Sequence, residues 1–424
     1  MNEQEGIFEV SPPSAELVAL AQKRGWPEGL LERMLALRFN RWQIDQALSG
    51  APFPTVDMWV ANVTDRERLT SGLAIHEATW EDDERLVDLF SNSSERLGDW
   101  DVYVERGPNP FAQQRLQENA HVKILVDRGV GLGVSVQSGR NSLVGGQRLS
   151  VGWMGGWRVR NGFRRNGYST LLLSTPGSSS GVFGMITYWY VRLENGTANS
   201  WIAKAMESVE QSTDRSTDKL TATVFHLDAQ SAPTSPDPRV RPIEPDDISR
   251  CVELINNTHG GLDLFRPYSV DFLETRLHDL FWGPKPPFVP TVYGWPDMAV
   301  LEVDGSIVAC GGLWDRGRDV RERWRHRESG EERVVDTTCL MDFGYAAGHE
   351  GDMAALIGHH LATTKSLGRT TLSVALEFQP DVLHLLSWAS PQPEVRSLET
   401  MGFASDEVRI DAVIKRPHTD LGYW

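Results

Sequence analysis

A short segment rich in glycine and arginine is the part of this sequence best suited to chemistry. Residues 159–169 read VRNGFRRNGYS, and a leucine run follows directly. The pattern predicts an apolar strand, a tight turn and the first turn of a helix. Backbone N–H groups of a first helical turn have no intrahelical acceptor, and the helix dipole adds partial positive charge there. We therefore expect Arg164 to Ser169 to bind a diphosphate, with Gly167 letting its oxygens approach the backbone.

The same segment resembles the pyrophosphate loop of the GNAT superfamily of acyltransferases, which use acyl-coenzyme A. That loop follows the pattern Val-x-x-x-(Tyr/Phe)-(Arg/Gln)-x-x-Gly-x-(Gly/Ala), which this chain matches from Val159 to Gly167. Ser169 replaces the final small residue, and Asn161 stands where proline is common. The resemblance implies an acetyl-CoA or other acyl-CoA cofactor bound by Trp157, Val159, Arg164, Arg165, Asn166, Gly167, Tyr168 and Ser169.

Two further segments fit this resemblance. Residues 149–159 read as the central strand, whose backbone would hold the pantetheine arm of the cofactor as an added strand is held. Residues 192–198 are similar to the Glu-Asn-x-x-Ala segment that follows the fifth strand in many GNAT enzymes. That similarity implies that Asn195 faces the pantetheine or the reacting thioester. A polar helix cap or turn is the alternative role for Asn195.

The proton-transfer groups that such a reaction needs are harder to find. Acyl transfer to an amine requires a deprotonated nucleophile, a polarised thioester carbonyl and a proton for the leaving thiolate. Residues 151–157 of the central strand include no carboxylate, and Ile202 occupies the position at which the family commonly has tyrosine. Tyr168 and Glu194 remain as candidate catalytic residues beside Asn195.

Aromatic residues offer candidates for the acceptor site. Trp153 and Trp157 alternate with Gly155, which predicts that they share one face of the strand and either wall an acceptor pocket or pack in the core. The long connections 91–119 and 258–296 are also rich in aromatic residues. In GNAT domains this region shapes the acceptor site, but such loops equally well seal an interface between domains.

An internal repeat predicts two copies of one domain. Residues 78–89 and 243–254 share a short strand, an acidic helix cap and an amphipathic helix, and this opening resembles the start of GNAT domains. A linker rich in proline and serine, Ser231 to Pro238, lies between them. The predicted fold is α/β, of the α+β kind with mixed sheets: two GNAT-like domains in tandem after a small three-helix segment. The predicted units are the helices of 1–52, a cofactor-binding domain over 73–228, a linker over 229–238 and a second GNAT-like domain over 239–424.

The second copy has its own version of the loop, with the charge reversed. Gly351 aligns with Gly167, but Gly348 takes the place of the arginine, and Glu350 and Asp352 put two negative charges where a diphosphate would lie. These charges would repel the anion. We therefore predict that the second domain is non-catalytic.

Strand signals in the second copy are strong. Residues 298–303 and 306–312 predict two strands joined by a tight turn at Asp304-Gly305. Another strand is predicted over 337–343. The interleaved Arg and Glu residues of 316–333 predict a solvated hairpin or loop.

Composition narrows the remaining possibilities. The formal charge of -16 opposes nucleic-acid binding, which depends on clustered Lys and Arg. No window suits a membrane span and the first residues lack a signal-peptide pattern, so we predict a cytoplasmic protein with no membrane partner. Three cysteines without CxxC spacing indicate neither disulfides nor zinc, and no metal is predicted. A homodimer is compatible with the sequence.

Three functions fit these features. The first is transfer of an acetyl or other small acyl group from acyl-CoA to an amine of a small molecule or peptide, in the first domain, as an acetyltransferase does. The second is an acyl-CoA decarboxylase or other thioester-processing enzyme on a GNAT fold, which the absence of the family's tyrosine would permit. The third is a non-catalytic acyl-CoA sensor or scaffold, with the N-terminal helices as an interaction module or a packing cap. The sequence favours the first.

Overall fold

A computed structural model gives the architecture of this chain. It describes residues 14–23, 31, 73–107, 109–164, 168–169, 172, 186–192, 217–233, 237–281, 289–376, 379–387, 396–404 and 418. Of the predicted N-terminal helices, the first is confirmed as α1 (Ala15–Lys23). The second is described only at Leu31, which is helical, and the third lies outside the described residues. Within the described ranges, no helix combines the length and the apolar character needed to cross a membrane.

The described residues of both copies contain further helices and strands. The remaining helices are α2 (Asp83–Ser91), α3 (Ile248–His259), α4 (Val270–Leu277), α5 (Arg316–Asp319), α6 (Glu350–Ser366) and α7 (Pro380–Leu385). The strands of the first copy are β1 (Leu73–Glu77), β2 (Ser94–Leu97), β3 (Trp100–Arg106), β4 (His121–Asp127), β5 (Val130–Val144), β6 (Gln147–Val159), β7 (Ile186–Arg192) and β8 (Thr217–Asp228). Those of the second copy are β9 (Val240–Pro242), β10 (Met298–Val303), β11 (Ser306–Trp314), β12 (Val320–His326), β13 (Glu332–Val335), β14 (Thr337–Tyr345), β15 (Thr371–Val374) and β16 (Arg396–Ala404).

The two copies share one sheet and exchange strands at its centre. The order of its 12 strands is β1-β4-β5-β6-β7-β16-β8-β15-β14-β11-β10-β9. β16 pairs antiparallel with both β7 and β8, and β8 also pairs antiparallel with β15. The last strand of the second copy therefore lies between strands of the first. The predicted boundaries at 228 and 239 do not coincide with a break in the sheet, and the division into two folding units remains a prediction.

The repeated opening has the same hydrogen bonds in both copies. Asp82 accepts a bond of 3.1 Å from the backbone N–H of Thr79, and Asp247 accepts one of 2.8 Å from that of Glu244. Each aspartate thus closes a capping box before an amphipathic helix, α2 or α3. Two hydrogen bonds from Arg241 hold the pKa of Asp247 below its usual value. The predicted caps and helices of the repeat are therefore confirmed, whereas the short strands, β1 and β9, end just before the predicted segments.

A second, smaller sheet joins the copies. Its order is β13-β12-β3-β2, with β12 from the second copy pairing along the whole of β3 from the first. The stretch 316–333 that the sequence predicted as a hairpin or loop supplies α5, β12 and the start of β13. Arg323 donates a 2.7 Å bond to Glu105, and Trp100 packs edge-on against Trp324. Within the charged stretch 316–333, Arg323 thus forms an ion pair with the first copy.

The long connections seal the boundary between the copies. Leu143 of β5 exchanges two backbone bonds of 2.7 Å with Leu264 and Phe265 of the second copy. Arg115, from the connection before β4, forms a buried ion pair with Asp279, from the connection after α4. Of the two roles that the sequence left open for these segments, interface sealing is the one their described contacts perform. Their contact with an acceptor remains a prediction.

Gly344 of β14 lies directly under α3 with no room for a side chain. A Cβ there would lie 2.4 Å from the backbone N of Ile255 and 2.4 Å from the carbonyl C of Leu254. Because α3 would have to move, Gly344→Ala is expected to lower the free energy of unfolding by about 2–3 kcal/mol in urea titrations. The matched control is Gly351→Ala, where a Cβ meets nothing within 4 Å and stability should change by less than about 0.5 kcal/mol. Wild-type stability for Gly344→Ala would contradict this packing.

Candidate functional site

A cleft opens in the main sheet between two parallel strands of the first copy. β6 and β7 pair only through Val151 and Ile186, Gly152 and Thr187, and Trp153 and Tyr188. β6 then continues to Val159 and β7 to Arg192, but the ladder between them has ended. Backbone groups of β6 beyond Trp153 are therefore presented to the cleft rather than to a neighbouring strand. An extended ligand with amide groups can take the place of the missing strand.

A β-bulge lies on β6 immediately beyond the last parallel pair. Gly156 and Trp157 together face the single residue Ser135 of β5, and Gly156 has a φ of +61°. A Cβ at Gly156 would lie 2.8 Å from Cγ2 of Val136, so both the conformation and the space favour glycine. Bulges bend a strand and redirect its backbone groups. This one redirects them at the apex of the cleft.

The bulge also corrects a prediction about the two tryptophans. Arg158 pairs with Val134, and Gly155 pairs with Val136, so the extra residue between them reverses the alternation of faces. Trp153 and Trp157 therefore lie on opposite faces of the strand, contrary to the prediction that they share one. Trp153 is 4% exposed within the core, where its ring covers Gly155. Trp157 is half-buried on the outer part of β6, and its contact with an acceptor remains a proposal.

The predicted anion loop follows β6 as a tight turn. The backbone N–H of Phe163 donates a 3.1 Å bond to the carbonyl of Arg160, and Gly162 has a φ of +86°. Tyr168 and Ser169 lie in the helix that follows, and Leu172 of that helix packs against Gly133. The strand, turn and helix predicted from the sequence are therefore present in the described residues.

Arg164 fastens this loop to the rest of the first copy. Its guanidinium donates to the backbone carbonyl of Ser94 in β2 and, at 3.4 Å, to that of Val159. Burial, together with the nearby Arg158, lowers the pKa of Arg164. A guanidinium bound to two carbonyls holds the loop in place, and the contact of Arg164 with an anion remains a prediction. The predicted site residues Arg165, Asn166, Gly167, Glu194 and Asn195 lie outside the described residues.

The second copy repeats the cleft and the turn. β14 and β15 pair in parallel only as far as Cys339 and Ser373, and then separate. Asp342 has a φ of +48° at the bulge, Gly348 has a φ of +83°, and the N–H of His349 donates a 3.0 Å bond to a carbonyl three residues earlier. Each feature has its counterpart in the first copy. The two copies therefore share the same strand separation, bulge and turn.

Known proteins share this architecture at very low sequence identity. No protein-family model matches the chain, and no curated protein matches its sequence. A crystal structure of Saccharomyces cerevisiae N-myristoyltransferase with bound myristoyl-CoA matches with a TM-score of 0.56 at 10% identity, covering 84% of this chain and 87% of that chain. A structure of the same yeast enzyme with myristoyl-CoA and inhibitors matches with a TM-score of 0.53 at 9% identity, covering 81% and 83%. N-myristoyltransferase is a tandem GNAT-fold acyltransferase.

This chain has the tandem GNAT fold. The predicted fold class and the predicted family resemblance are both confirmed at the level of architecture. At 10% identity the match identifies the fold and leaves activity and substrate to be argued from the site.

The turn geometry changes how the two GNAT loops align. The sequence placed Gly351 opposite Gly167, but the positive φ values and the turn bonds place Gly348 opposite Gly162. Glu350 then stands opposite Arg164, so the two loops carry opposite charge at the same position. Shifting the alignment of the two loops by two positions puts an acidic residue directly opposite the arginine. This strengthens the prediction that acidic residues replace basic ones in the second loop.

Two carboxylates of the second GNAT loop are bonded to protein groups beside the start of α6. A carboxylate oxygen of Glu350 accepts a 3.2 Å bond from the backbone N–H of Gly348. Asp352 accepts bonds of 2.8 Å from His349 and 2.7 Å from Arg239. Its pKa is lowered by these partners despite its partial burial. Protein carboxylates therefore occupy the helix start at which a GNAT cofactor would place its diphosphate.

Sequence reasoning missed two features that shape the first GNAT site. One is the bulge, for which Gly155-Gly156 inside a strand was an available signal. The other is the ion pair of Arg158 with Glu95, which ties the end of β6 to β2. No local sequence pattern predicts this ion pair, because β2 and β6 belong to different sheets and form no backbone ladder with each other.

Proposed function

We propose that this protein is an acyl-coenzyme A-dependent N-acyltransferase whose cofactor binds the first copy. The observation that carries the proposal is the contrast between two otherwise equivalent loops. In the first copy the turn leads into a helix start beside Arg164, whereas in the second Glu350 occupies the same position. An anionic cofactor is therefore favoured in the first cleft and disfavoured in the second. The matched yeast structure holds bound myristoyl-CoA, which supports a coenzyme A thioester as the ligand.

The cleft of the first copy suits the pantetheine arm of such a cofactor. Its amides would hydrogen-bond to β6 between Trp153 and Val159, where the ladder to β7 has ended. The diphosphate would lie at Gly162 to Ser169, and the thioester would reach the bulge at Gly156. A redirected backbone N–H there would polarise the thioester carbonyl.

The chemistry that we assign to this site is transfer to an amine. We propose an acetyl or other small acyl group as the donor and a small-molecule amine or a peptide as the acceptor, in the cytoplasm. Asn195 would orient the thioester or pantetheine, and Glu194 and Tyr168 are the candidates for moving protons.

A non-catalytic acyl-CoA sensor is the second candidate. Residues 151–157 of β6 contain no carboxylate, and of the two proposed proton-transfer residues only Tyr168 lies within the described residues. This observation favours binding without turnover. The same cleft and loop would serve either function.

Product analysis separates these functions. The protein would be incubated with acetyl-, succinyl- or butyryl-CoA and a panel of amines and N-terminal peptides, while free thiol and acylated product are measured. Thiol release matched by acylated amine is the expected result. Tight binding with no thiol release would replace the transferase proposal with the sensor, and release of free acid or carbon dioxide without acylated amine would replace it with a thioester-processing enzyme.

A further inference from the structure

One face of the cofactor-binding copy carries polar side chains deep under the protein surface. Val122, Ile124, Val134 and Val136 pack in one cluster with the apolar residues of α2. Side chains alternate along strands, so their neighbours lie on the opposite face. On that face β4 and β5 contribute Lys123, Ser135 and Gln137, which we call the polar row.

Strand register places the polar row beside the proposed thioester position. Lys123 pairs with Ser135, and Gln137 pairs with Met154 of β6. Met154 directly follows the last residue that pairs with β7, and Ser135 faces the bulge at Gly156. Adjacent strands lie about 4.8 Å apart, so a group at the bulge is one strand away from Gln137 and two from Lys123.

The polar row is almost completely buried. Lys123, Ser135 and Gln137 are 5%, 0% and 1% exposed. Neither amide atom of Gln137 nor the hydroxyl of Ser135 has a hydrogen-bond partner in the part of the chain that the structure describes. Burying an amide without a partner is unfavourable, and such groups in folded proteins are normally satisfied by water or a ligand. Burial lowers the pKa of Lys123 to about 8, while the charge of Glu77 opposes the shift.

The fold itself does not require polar residues at these positions. The same register in the second copy pairs Ala299 with Gly311 and Leu313 with Leu340. Three of these residues belong to the apolar cluster under α6, and a Cβ at Gly311 would contact Leu356 at 3.7 Å. Buried polar groups do reach this face of the second copy, where His360 bonds the carbonyl of Gly311 and Thr364 bonds Thr338, but each has its partner. The counterparts of Lys123, Ser135 and Gln137 are Ala299, Gly311 and Leu313, which carry no polar side chain. The difference between the side chains of the two copies is therefore explained by the proposed cofactor site and not by the fold.

We propose that the polar row binds the far end of the transferred acyl group, and that this end carries a carboxylate. The inference rests on the proposed function, because it places the thioester at the bulge. The amide of Gln137 and the hydroxyl of Ser135 donate hydrogen bonds to the carboxylate, and the ammonium of Lys123 supplies the opposite charge. A four-carbon dicarboxylic acyl group, such as succinyl, has the length to reach from the bulge to the neighbouring strand. Water alone would satisfy the same amide but would give no preference among acyl groups.

Binding of two thioesters of equal chain length tests the inference. Succinyl-CoA and butyryl-CoA both carry four-carbon acyl groups and differ in the terminal carboxylate. Dissociation constants for both, and for coenzyme A, would be measured on wild type, Gln137→Leu and Lys123→Met. Wild type is expected to bind succinyl-CoA about tenfold or more tightly than butyryl-CoA, the effect of one hydrogen bond to a charged group. Either variant should abolish that preference while binding coenzyme A as wild type does.

Thermal unfolding and a control variant complete the test. Gln137→Leu introduces the residue that the second copy has, so its Tm should equal or exceed that of wild type. Val134→Ile changes the opposite face of the same strand and should keep the preference. Equal binding of the two thioesters by wild type, or a preference that survives in both variants, would overturn the inference and leave the proposed function intact. Failure of folded wild type to bind any coenzyme A species would refute the proposed function itself.

Discussion

Arg115→Met is expected to lower the free energy of unfolding by about 3–5 kcal/mol, the largest stability loss that we predict. The side chains of Arg115 and Asp279 are 2% and 1% exposed, and they join the two copies. Arg115 also donates a 2.9 Å bond to the carbonyl of Pro290, and Asp279 accepts a 3.2 Å bond from the N–H of Val292. Methionine keeps the apolar stem but leaves the Asp279 carboxylate buried without its cation. Urea-induced unfolding followed by tryptophan fluorescence measures the loss.

Two further variants separate burial from charge pairing. Arg239→Met removes an arginine that is 42% exposed and bonds Asp352 at 2.7 Å, so its loss should cost less than about 1 kcal/mol. Arg115→Met/Asp279→Asn removes the isolated charge and should recover part of the stability that Arg115→Met loses. If the double variant is no more stable than the single variant, the loss does not come from an unpaired buried carboxylate.

Gly156→Ala is expected to lower the turnover number about 100-fold while changing the Kd for coenzyme A less than about threefold. The loss corresponds to one donor to the developing oxyanion. The added Cβ would sit 2.8 Å from Val136 at a φ of +61°, so the bulge would have to rearrange. Steady-state kinetics with the acceptor that product analysis identifies, together with direct titration of coenzyme A, provides both quantities.

Gly146→Ala is the matched control for the bulge. Gly146 also has a positive φ, +79°, but a Cβ there meets nothing within 4 Å, and it lies in the turn at the far end of β6. The substitution imposes backbone strain of about 1 kcal/mol without touching the cleft. Turnover should stay within about twofold of wild type. An equal loss of turnover in both variants would show that strain, rather than the bulge geometry, causes the effect.

Local patterns predicted the elements well because local physics decides them. The Asp304-Gly305 turn has φ values of +50° and +76°, as a two-residue hairpin requires, and β10 and β11 flank it at the predicted positions. The central strand and the glycine turn after Val159 were likewise marked by residue type. Each of these features depends on the conformational preference of a few neighbouring residues.

Long-range pairing could not be predicted in the same way. Residues 396–404 lie in the sequence of the second copy, yet they pair with β7 and β8 of the first. Similarly, β12 pairs with β3 across the boundary between copies. Side-chain periodicity gives the face of a strand but not the identity of its partner. The shift of two positions in the second loop has the same origin, because φ values rather than residue types fix that alignment.

The candidate site was predicted in part. The loop and the cleft were expected. The structure adds that Arg164 donates a hydrogen bond to a backbone carbonyl and that Glu350 accepts one from the backbone of the second loop. The polar row was missed, since Lys123, Ser135 and Gln137 look unremarkable among the small and polar residues of β4 and β5. Only register and burial bring them together beside the bulge.

The number and location of coenzyme A sites test the central claim most directly. Acetyl-, succinyl- and butyryl-CoA would be titrated calorimetrically into wild type and into a folded Arg164→Ala/Gly167→Asp variant. We expect one binding site per chain in wild type and none in the variant, because only the first copy is proposed to bind coenzyme A. Two sites per chain, or one site that the variant retains, would contradict the assignment of the cofactor to the first copy. No binding to wild type would leave a tandem GNAT fold without the function proposed for it.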